Sequence, residues 1–297
     1  MSGTRPLVSV VILTWNRLEE LRESLSRVYH SEYPNLEVIV CDNGSTDGTA
    51  AMVRSEFPQA DLLHSPDNIG IEAYNAGFRR ARGDYVVILD DDSFPAADAI
   101  SRMVDKFEAD PRLGIVAFDV RSYVARETVP AKPANGDTAV TQRYLMGFNG
   151  AGAGVRKSVF EETGYYPGEF FLYWNEQDLA LRVLNAGWKI VFFSDVVGYH
   201  KYSPSNRSSW RAPYYYCRNA FWLVWKNYPL LQAVDLTTKL GILVVRHSLE
   251  QRTVVYLKAM LAAMAGVTRI AGLRRPVRRE IAGNFRAPVE LSFTFYK

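Results

Sequence analysis

The chain has 297 residues, of which 48% are hydrophobic and 23% are charged, and these proportions exclude a disordered or low-complexity chain. Its two cysteines, Cys41 and Cys217, are too few for a disulfide framework or a cysteine-ligated metal centre. The formal net charge of +3 conceals a strongly uneven distribution.

The two parts of the chain carry opposite charge. Residues 1–200 contain 19 Lys and Arg against 28 Asp and Glu, a net charge of −9, whereas residues 201–297 contain 16 against 4, a net charge of +12. A basic tail on an acidic body predicts contact with an anionic surface, either a membrane or nucleic acid. The first residues lack a signal-peptide pattern. We therefore expect a cytoplasmic protein, which the tail could hold at the inner face of the plasma membrane.

Apolar runs alternate with helical patterns over the first ninety or so residues. Strands are predicted at Leu7–Leu13, Leu36–Cys41, Asp61–His64 and Tyr85–Leu89, and helices at about 18–28, 46–56 and 71–82. This alternation, with short connections, predicts an α/β fold in which helices flank a mainly parallel sheet.

Three of the predicted strands end in polar residues. Thr14 and Asn16 follow the first strand, Asp42 follows the second, and the segment 90–92, which is three consecutive aspartates, follows the strand at 85–89. Ligands in open α/β sheets bind outside the carboxyl ends of the strands, so we expect these groups to share one crevice. Three adjacent carboxylates repel one another, and a divalent cation with oxygen ligands would relieve that repulsion. A polar turn that caps the next helix is the alternative.

The second half of the chain is less regular. A mobile loop is predicted for Arg126–Arg143, a Gly/Ala-rich stretch for Gly147–Gly154, a helix for Val155–Thr163, a helix for Glu176–Ala186 ended by Gly187, and a strand for Lys189–Phe193. Beyond residue 203 the pattern is one of helices rich in aromatic residues and arginines. We therefore expect a catalytic domain over residues 1–203, with halves of about 1–95 and 96–203, and a helical, basic extension over 204–297.

No glycine-rich phosphate loop accompanies this pattern. Neither GxGxxG nor GxxxxGK[ST] follows the first strand, so backbone N–H groups of such a loop do not bind a nucleotide's phosphates. A metal ion at the aspartates would neutralise them instead.

Four stretches resemble the successive signatures of family 2 glycosyltransferases, which have the Rossmann-like GT-A fold. They are SVVILTWNR, VIVCDNGSTD, DNIGIEAYNAGFRRARGDYVVILDDD and FFLYWNEQDLALRVLNAGWKI. The resemblance covers roughly residues 7–225. The pattern from Asn68 to Gly77 resembles the rhamnosyltransferase-type branch most.

The resemblance implies roles for residues that match the family's motifs. The implied donor-binding set is Thr14, Asn16, Arg17, Asp42, Asn68, Asn75, Asp90 and Asp91. Within it, Asp42 would contact the base of a nucleotide sugar, and Asp90 and Asp91 would contact ribose or phosphate. Asp92 would coordinate Mg²⁺ or Mn²⁺, with His200 completing the metal site. The implied acceptor-side set is Phe148, Asn149, Gly150 and Trp174, where Trp174 is either a sugar-stacking or a core aromatic residue.

The general base is expected within the segment 175–178. Many family members have Glu-Asp-x-Asp here, and the first Asp is the base; this chain has Glu176 at that position and Asp178 two residues later. Glu176 is our first candidate and Asp178 the second. Alternatively, Asn175 caps the helix, whose dipole then favours both carboxylates as anions.

The tail has features of a membrane-surface segment. Val254–Val267 is apolar but too short for a membrane span, and it contains Lys258. Five arginines follow closely, Arg269, Arg274, Arg275, Arg278 and Arg279. We predict an interfacial helix with an arginine patch against anionic lipid, and self-association through these helices is the alternative.

Together these features predict an inverting, metal-dependent hexosyltransferase. It would move a sugar from a nucleoside-diphosphate sugar to a hydroxyl group of a saccharide, a lipid-linked acceptor or a small molecule. The alternatives are a nucleotidyltransferase with a GT-A-like sheet and a non-catalytic nucleotide-sugar-binding protein. We expect no nucleic-acid partner, because the acidic crevice would repel one.

Overall fold

The computed structural model describes residues 5–123, 140–202 and 210–285. The strands are β1 Val8–Thr14, β2 Leu36–Asp42, β3 Asp61–His64, β4 Tyr85–Asp90, β5 Ser93–Pro95, β6 Leu113–Ser122, β7 Gln142–Tyr144, β8 Ala153–Arg156 and β9 Lys189–His200. The helices are α1 Leu18–Val28, α2 Thr49–Glu56, α3 Glu72–Arg80, α4 Ala99–Ala109, α5 Lys157–Thr163, α6 Asn175–Asn185, α7 Arg211–Asn227, α8 Leu230–Glu250, α9 Val255–Ala265, α10 Val267–Gly272 and α11 Arg279–Asn284.

The strands form one mixed sheet in the order β3-β2-β1-β4-β8-β6-β9-β5, with β7 paired to β9. The first four are parallel, as the strand–helix alternation predicted. β8 then runs antiparallel to both β4 and β6, whereas β6 and β9 are parallel. The predicted α/β class is confirmed, but the sheet is mainly parallel only in its first half.

Alternate residues of the strands face two separate cores. Val10 of β1 and Val87 of β4 belong to a cluster that includes α1, α2 and α4. Val11 and Val86, their neighbours in the chain, belong to a cluster on the opposite face. Successive side chains of a strand point to opposite faces of the sheet. Both faces of these central strands are covered, so nearly every residue of each run is apolar.

Two predicted helices begin later than expected. α2 begins at Thr49 rather than near residue 46, because Asp47 Oδ1 accepts the Thr49 N–H at 3.1 Å and Gly48 has a left-handed φ of 92°. The first two residues of the helix predicted at 155–163 belong to β8 instead, and α5 begins only at Lys157. The Gly/Ala-rich stretch therefore contains the beginning of a strand as well as a loop.

The part between residues 93 and 200 departs most from prediction. α4 and β6 had no predicted counterpart, and β9 continues to His200 instead of ending at Phe193. The longer β9 places His200 opposite Ser93 of β5. Ser93 directly follows the three aspartates in the chain.

The C-terminal helices share a core with the sheet. Leu223 and Val224 of α7 lie in the same buried cluster as Phe170 and Leu179. The predicted domain boundary falls within residues 203–209 and most of the predicted mobile loop within residues 124–139, both outside the described residues. Among the helices that the structure describes, none combines the length and the apolar character needed to cross a membrane.

Candidate functional site

The carboxyl ends of β1, β2 and β4 form one polar edge of the sheet. Thr14 lies opposite Asp42 in the pairing of β1 with β2, and Leu13 lies opposite Asp90 in the pairing of β1 with β4. The polar segments that follow these strands are therefore neighbours. The predicted convergence on one edge is confirmed.

Arg17, whose side chain is only 10% exposed, compensates two of the three aspartates. Nε of Arg17 lies 3.3 Å from Oδ1 of Asp91, and its Nη2 lies 2.9 Å from Oδ2 of Asp92. Burial raises the pKa of Asp91 to about 7 against the opposing charge of Arg17, and the charges of Asp92 and Asp90 add to the rise. Arg17 therefore serves as a counter-charge for the aspartates, whatever contact it makes with a ligand.

Asp90, Asp92 and His200 form a group that fits a divalent cation. One ligand atom from each residue lies within 4.8 Å of the others. Nε2 of His200 is 3.0 Å from Oδ1 of Asp92 and 3.8 Å from Oδ2 of Asp90. Carboxylates are ligands that Mg²⁺ and Mn²⁺ prefer, and a neutral imidazole suits Mn²⁺ better than Mg²⁺. The structure thus brings Asp92 and His200 together and adds Asp90, which the sequence assigned to the donor.

On the donor side, Asp42 is buried and both of its oxygens have protein partners. Oδ1 accepts the N–H of Ser45 at 3.0 Å, and Oδ2 lies 2.9 Å from Nδ1 of His64. Any ligand that hydrogen-bonds to Asp42 would therefore share its carboxylate with His64. His64 could not be identified from the sequence, because a lone histidine at the end of a short strand has no informative spacing.

Asn16 joins the loops that follow β1 and β2. Its Oδ1 accepts the N–H of Thr46 at 2.6 Å, and its own N–H donates to Oγ of Ser45 at 2.9 Å. Its φ of 52° is left-handed, a conformation that asparagine tolerates better than most residues. These bonds shape the edge, and the contact of Asn16 with a donor stays a prediction.

The two other asparagines of the predicted donor set differ from each other. Oδ1 of Asn68 accepts the Gly70 N–H and an Asn43 amide N–H, both at 2.9 Å, in the loop beside Asp42. Asn75 is buried, and its amide pairs with both the N–H and the carbonyl of Tyr166, at 3.0 and 2.9 Å. The donor contact predicted for Asn75 has no support here, because its amide joins α3 to the segment before α6.

Glu176 lies in the first turn of α6, directly beside Gly150. A Cβ atom at Gly150 would overlap Oε1 of Glu176, so glycine leaves the room that this carboxylate occupies. Burial raises the pKa of Glu176 to about 7; its own N–H and Asn175 oppose the rise, and the charge of Asp90 adds to it. A carboxyl group with such a pKa is suited to accept a proton at neutral pH.

Asp178 has a structural role and is not a candidate base. It is 0% exposed, and its carboxylate accepts from Arg182 at 2.9 Å, from Lys226 at 3.2 Å and from Asn227 at 2.8 Å. Although burial pushes its pKa upward, the charges of Arg182 and Lys226 hold the pKa below its ordinary value. The second candidate base was therefore wrong: Asp178 fastens α6 to α7.

The structure decides two alternatives that the sequence left open in this segment. Trp174 is 2% exposed, and its Nε1 donates to the Tyr216 carbonyl at 2.9 Å, so it is a core residue and does not stack on a sugar. Asn175 is the first residue of α6 rather than its cap. In the loop that contains Gly150, Phe148 is also buried, whereas Asn149 is exposed and uses Oδ1 to accept the Ala151 N–H at 3.0 Å.

Two buried tyrosines border the crevice and were missed from the sequence. The Tyr74 hydroxyl donates to the Leu89 carbonyl at 2.8 Å and lies 3.3 Å from Oδ1 of Asp90. Burial raises the pKa of Tyr166 well above its ordinary value, with the charges of Glu176 and Asp90 adding to the effect. Both tyrosines lie in apolar surroundings that a sequence pattern cannot distinguish from core.

The crevice therefore combines a proton acceptor with a group that fits a cation. Glu176 and Asp90 are near enough for the charge of one to raise the pKa of the other. Such an arrangement can activate a hydroxyl group while an anion leaves from the opposite side.

Comparison with known proteins gives a family and several relatives. The family model described as Glycosyl transferase family 2 matches residues 9–173. The chain is 26% identical over 225 residues to the probable glycosyltransferase YdaM of Bacillus subtilis (strain 168), an alignment that covers 69% of this chain and 53% of YdaM. It is 26% identical over 218 residues to glycosyltransferase AglE of Haloferax volcanii, covering 69% and 70% of the two chains. The chain thus spans about half the length of YdaM.

Among solved structures, the fold is similar to that of the mannosyltransferase PcManGT from Pyrobaculum calidifontis in complex with GDP-Man and Mn²⁺. The TM-score is 0.59 at 20% sequence identity, and the match covers 89% of this chain and 88% of PcManGT. This likeness is one of fold, and it confirms the expected GT-A architecture.

The counter-charge at the aspartates predicts a metal-dependent stability difference. Arg17→Gln leaves Asp91 and Asp92 buried without their positive partner, so without metal the free energy of unfolding should fall by about 3 kcal/mol. Adding Mn²⁺ should restore part of that loss, because a bound cation replaces the missing charge. Thermal and urea unfolding with and without Mn²⁺ measure both effects.

Arg22→Gln is the matched control, since the ion pairs of Arg22 with Glu19 and Glu56 lie at the surface and should matter little. An Arg17→Gln protein as stable as the wild type would contradict the role given to Arg17.

Proposed function

Because the chain belongs to glycosyl transferase family 2, we propose that it transfers a hexose from a nucleoside-diphosphate sugar to an acceptor hydroxyl group. We propose inversion at the anomeric carbon. The observation that carries this proposal is the pair of groups on one crevice: Glu176 with a pKa raised to about 7, and the group Asp90, Asp92 and His200.

Glu176 is the proposed general base. Its carboxylate would take the proton of the acceptor hydroxyl as that oxygen attacks the anomeric carbon from the face opposite the diphosphate. The bond between the anomeric carbon and the phosphate oxygen breaks, and its electron pair leaves with the nucleoside diphosphate. One base without a protein nucleophile gives a single displacement, which inverts the configuration. The sequestration of Asp178 supports this choice, because Glu176 then has no competing carboxylate on α6.

Asp90, Asp92 and His200 would hold a divalent cation. When bound, Mg²⁺ or Mn²⁺ would neutralise the diphosphate and stabilise the charge that develops on the leaving group. The presence of Mn²⁺ in the PcManGT complex supports this proposal. Arg17, whose guanidinium lies between Asp91 and Asp92, would limit the repulsion of the diphosphate by these carboxylates.

The donor would bind along the edge formed by β1, β2 and β4. Asp42 would accept a hydrogen bond from the base, in competition with His64, while Thr14, Asn16 and Asn68 line the same edge. Asp91 would support the ribose or phosphate contact that the motif implies. The rhamnosyltransferase-type branch remains a prediction about the sugar.

Metal-dependent turnover tests the proposed function directly. With a panel of UDP-, dTDP- and GDP-sugars and sugar acceptors, nucleoside diphosphate release should require Mn²⁺ or Mg²⁺. Asp92→Asn should lower release at least about a hundredfold by weakening metal binding, and Glu176→Gln should lower transfer by a similar factor while donor binding persists. Coupled nucleotide detection measures turnover, and calorimetry measures donor binding.

Asp235→Asn, at an exposed ion pair on α8, serves as the charge-matched control. Full turnover by Asp92→Asn would refute the metal assignment. Loss of donor binding in Glu176→Gln would refute the role as base.

Gly150 provides a steric test of the same base. Gly150→Ala places a methyl group against the carboxylate of Glu176 and should lower kcat about tenfold or more, because the base is displaced. Gly147→Ala is the control in the same loop, since a Cβ there meets only Phe285 at an ordinary 3.9 Å. Equal kcat values for the two variants would argue against Glu176 as base.

The C-terminal helices are proposed to contact an anionic lipid surface at the cytoplasmic face of the membrane. An exposed apolar stripe runs along α8 at helical spacing: Leu231, Val234, Ile242, Val245 and Leu249. Residues 251–285 carry seven Lys and Arg against one acidic residue, Glu280. This combination favours a bilayer with anionic headgroups as the occupant. A lipid-linked or polysaccharide acceptor would be reached most readily from there.

The predicted arginine patch is smaller than expected. Arg274 donates to the carbonyls of Trp225 and Tyr228, and Arg278 donates to the Leu184 carbonyl. Both therefore fasten the last segment to the body of the protein. Arg278 nevertheless stays exposed, as do Arg269, Arg275 and Arg279, so only Arg274 is withdrawn from the predicted patch.

Vesicle sedimentation tests this membrane contact. The protein should bind phosphatidylcholine vesicles that contain phosphatidylglycerol and not vesicles of phosphatidylcholine alone, and binding should weaken with salt. The double variant Ile242→Ser/Val245→Ser should bind about tenfold more weakly, whereas Tyr144→Ser, an exposed residue on β7, should bind normally. A dimer in light scattering without vesicle binding would show that the stripe serves self-association instead.

A further inference from the structure

The segment before α6 has an unusual backbone. Phe171, Tyr173 and Trp174 all have left-handed φ values, of 62°, 65° and 67°. Residues other than glycine and asparagine rarely adopt this backbone conformation, so it persists only where surrounding groups hold it. This segment leads directly into the first turn of α6, which carries Glu176.

One amide on α7 holds this backbone. Nδ2 of Asn219 lies 2.9 Å from the Phe170 carbonyl, 2.6 Å from the Leu172 carbonyl and 3.3 Å from the Tyr173 carbonyl. Asn219 is 0% exposed, so water cannot take over these bonds. Nε of Arg218 donates to Oδ1 of Asn219 at 2.9 Å, which fixes the orientation of the amide.

Neighbouring residues hold the rest of the segment. Nη2 of Arg218 donates to the Phe170 carbonyl at 2.7 Å, and the N–H of Ile71 donates to the Phe171 carbonyl at 2.8 Å. A Cβ atom at Gly70 would overlap that same carbonyl, so the approach of Ile71 depends on glycine before it. The carbonyls of residues 170–173 thus all accept hydrogen bonds from the surrounding structure.

We propose that Asn219 is a positioning residue for Glu176. Asp178 fastens the body of α6 to α7 through Lys226 and Asn227, and Asn219 fixes the strained entry to α6. Together these contacts determine where the first turn of α6 begins and in which direction the carboxylate of Glu176 points. The proposal deepens the proposed function and rests on it, because it acts through Glu176 as base.

Asn219→Asp is the variant that tests this role. It keeps the side chain's shape and its contact with Arg218, but it removes both N–H donors and sets a carboxylate against three carbonyls. We expect kcat to fall about a hundredfold, since a displacement of about 1 Å at a catalytic group has that effect. The Kd of the donor should stay within about threefold, because the donor edge is built by other strands. Asn219→Ser, which keeps one donor, should lose less.

Tyr228→Phe is the matched control. It removes one buried hydrogen bond just after the C-terminal end of α7, from the Tyr228 hydroxyl to the Phe285 carbonyl at 2.8 Å. Both variants should lower the Tm, but only Asn219→Asp should lower kcat.

Hydrogen exchange provides a readout that does not need turnover. Asn219→Asp should speed amide exchange selectively in residues 168–178, and Tyr228→Phe should not. Unchanged kcat in Asn219→Asp despite faster local exchange would overturn the positioning role. Equal loss of kcat and of donor binding, with faster exchange throughout, would also overturn it. If the wild type transfers no sugar, the proposed function fails, while the exchange comparison still decides whether Asn219 holds this segment.

Discussion

The arrangement of this protein's crevice depends on how three adjacent carboxylates are kept at the end of one strand. Arg17 contacts Asp91 and Asp92, and His200 lies within 3.0 Å of Asp92. Each of these partners is brought by a different part of the fold: Arg17 follows β1, and His200 ends β9. Without them the repulsion and burial of the aspartates would oppose folding. Residues that follow the first strand and end the last strand thus contact the same carboxylates. A divalent cation would reduce the repulsion between these carboxylates further.

The C-terminal helices belong to the architecture of the site. α7 presents Lys226 and Asn227 to Asp178 and presents Asn219 to the backbone before α6. The acidic body and the basic extension therefore meet in a charged, hydrogen-bonded contact as well as in a common apolar core. Glu176 and Asp178, two residues apart on α6, consequently differ in their surroundings. The carboxylate of Glu176 faces the crevice, and that of Asp178 is neutralised inside the protein.

The strands whose residues form a regular apolar pattern were predicted correctly from the sequence. The parallel strands β1, β2 and β4 are apolar runs interrupted only by Ser9 and Glu37, and each ends where polar residues begin. The edge that holds Asp42 and Asp90 therefore followed from the sequence. The partners across that edge did not follow, because His64 and Arg17 reach their aspartates only through the folded sheet. Residues i and i+2 of a helix point in different directions; this geometry separates Glu176 from Asp178, but burial had to show which one faces the crevice. Strand β8 is only four residues long and contains a single β-branched residue, Val155, in a Gly/Ala-rich stretch, and it was missed for that reason.

The proposed function requires that the carboxylates after β4 form a metal and diphosphate site. A crystal structure with Mn²⁺ and a nucleoside diphosphate, with anomalous difference maps recorded for manganese, tests it most directly. We expect one strong peak within about 2.5 Å of carboxylate oxygens of Asp90 or Asp92 and of Nε2 of His200, in contact with the diphosphate. A nucleotide bound at this edge with no manganese peak, or with the peak away from Asp92 and His200, would contradict it.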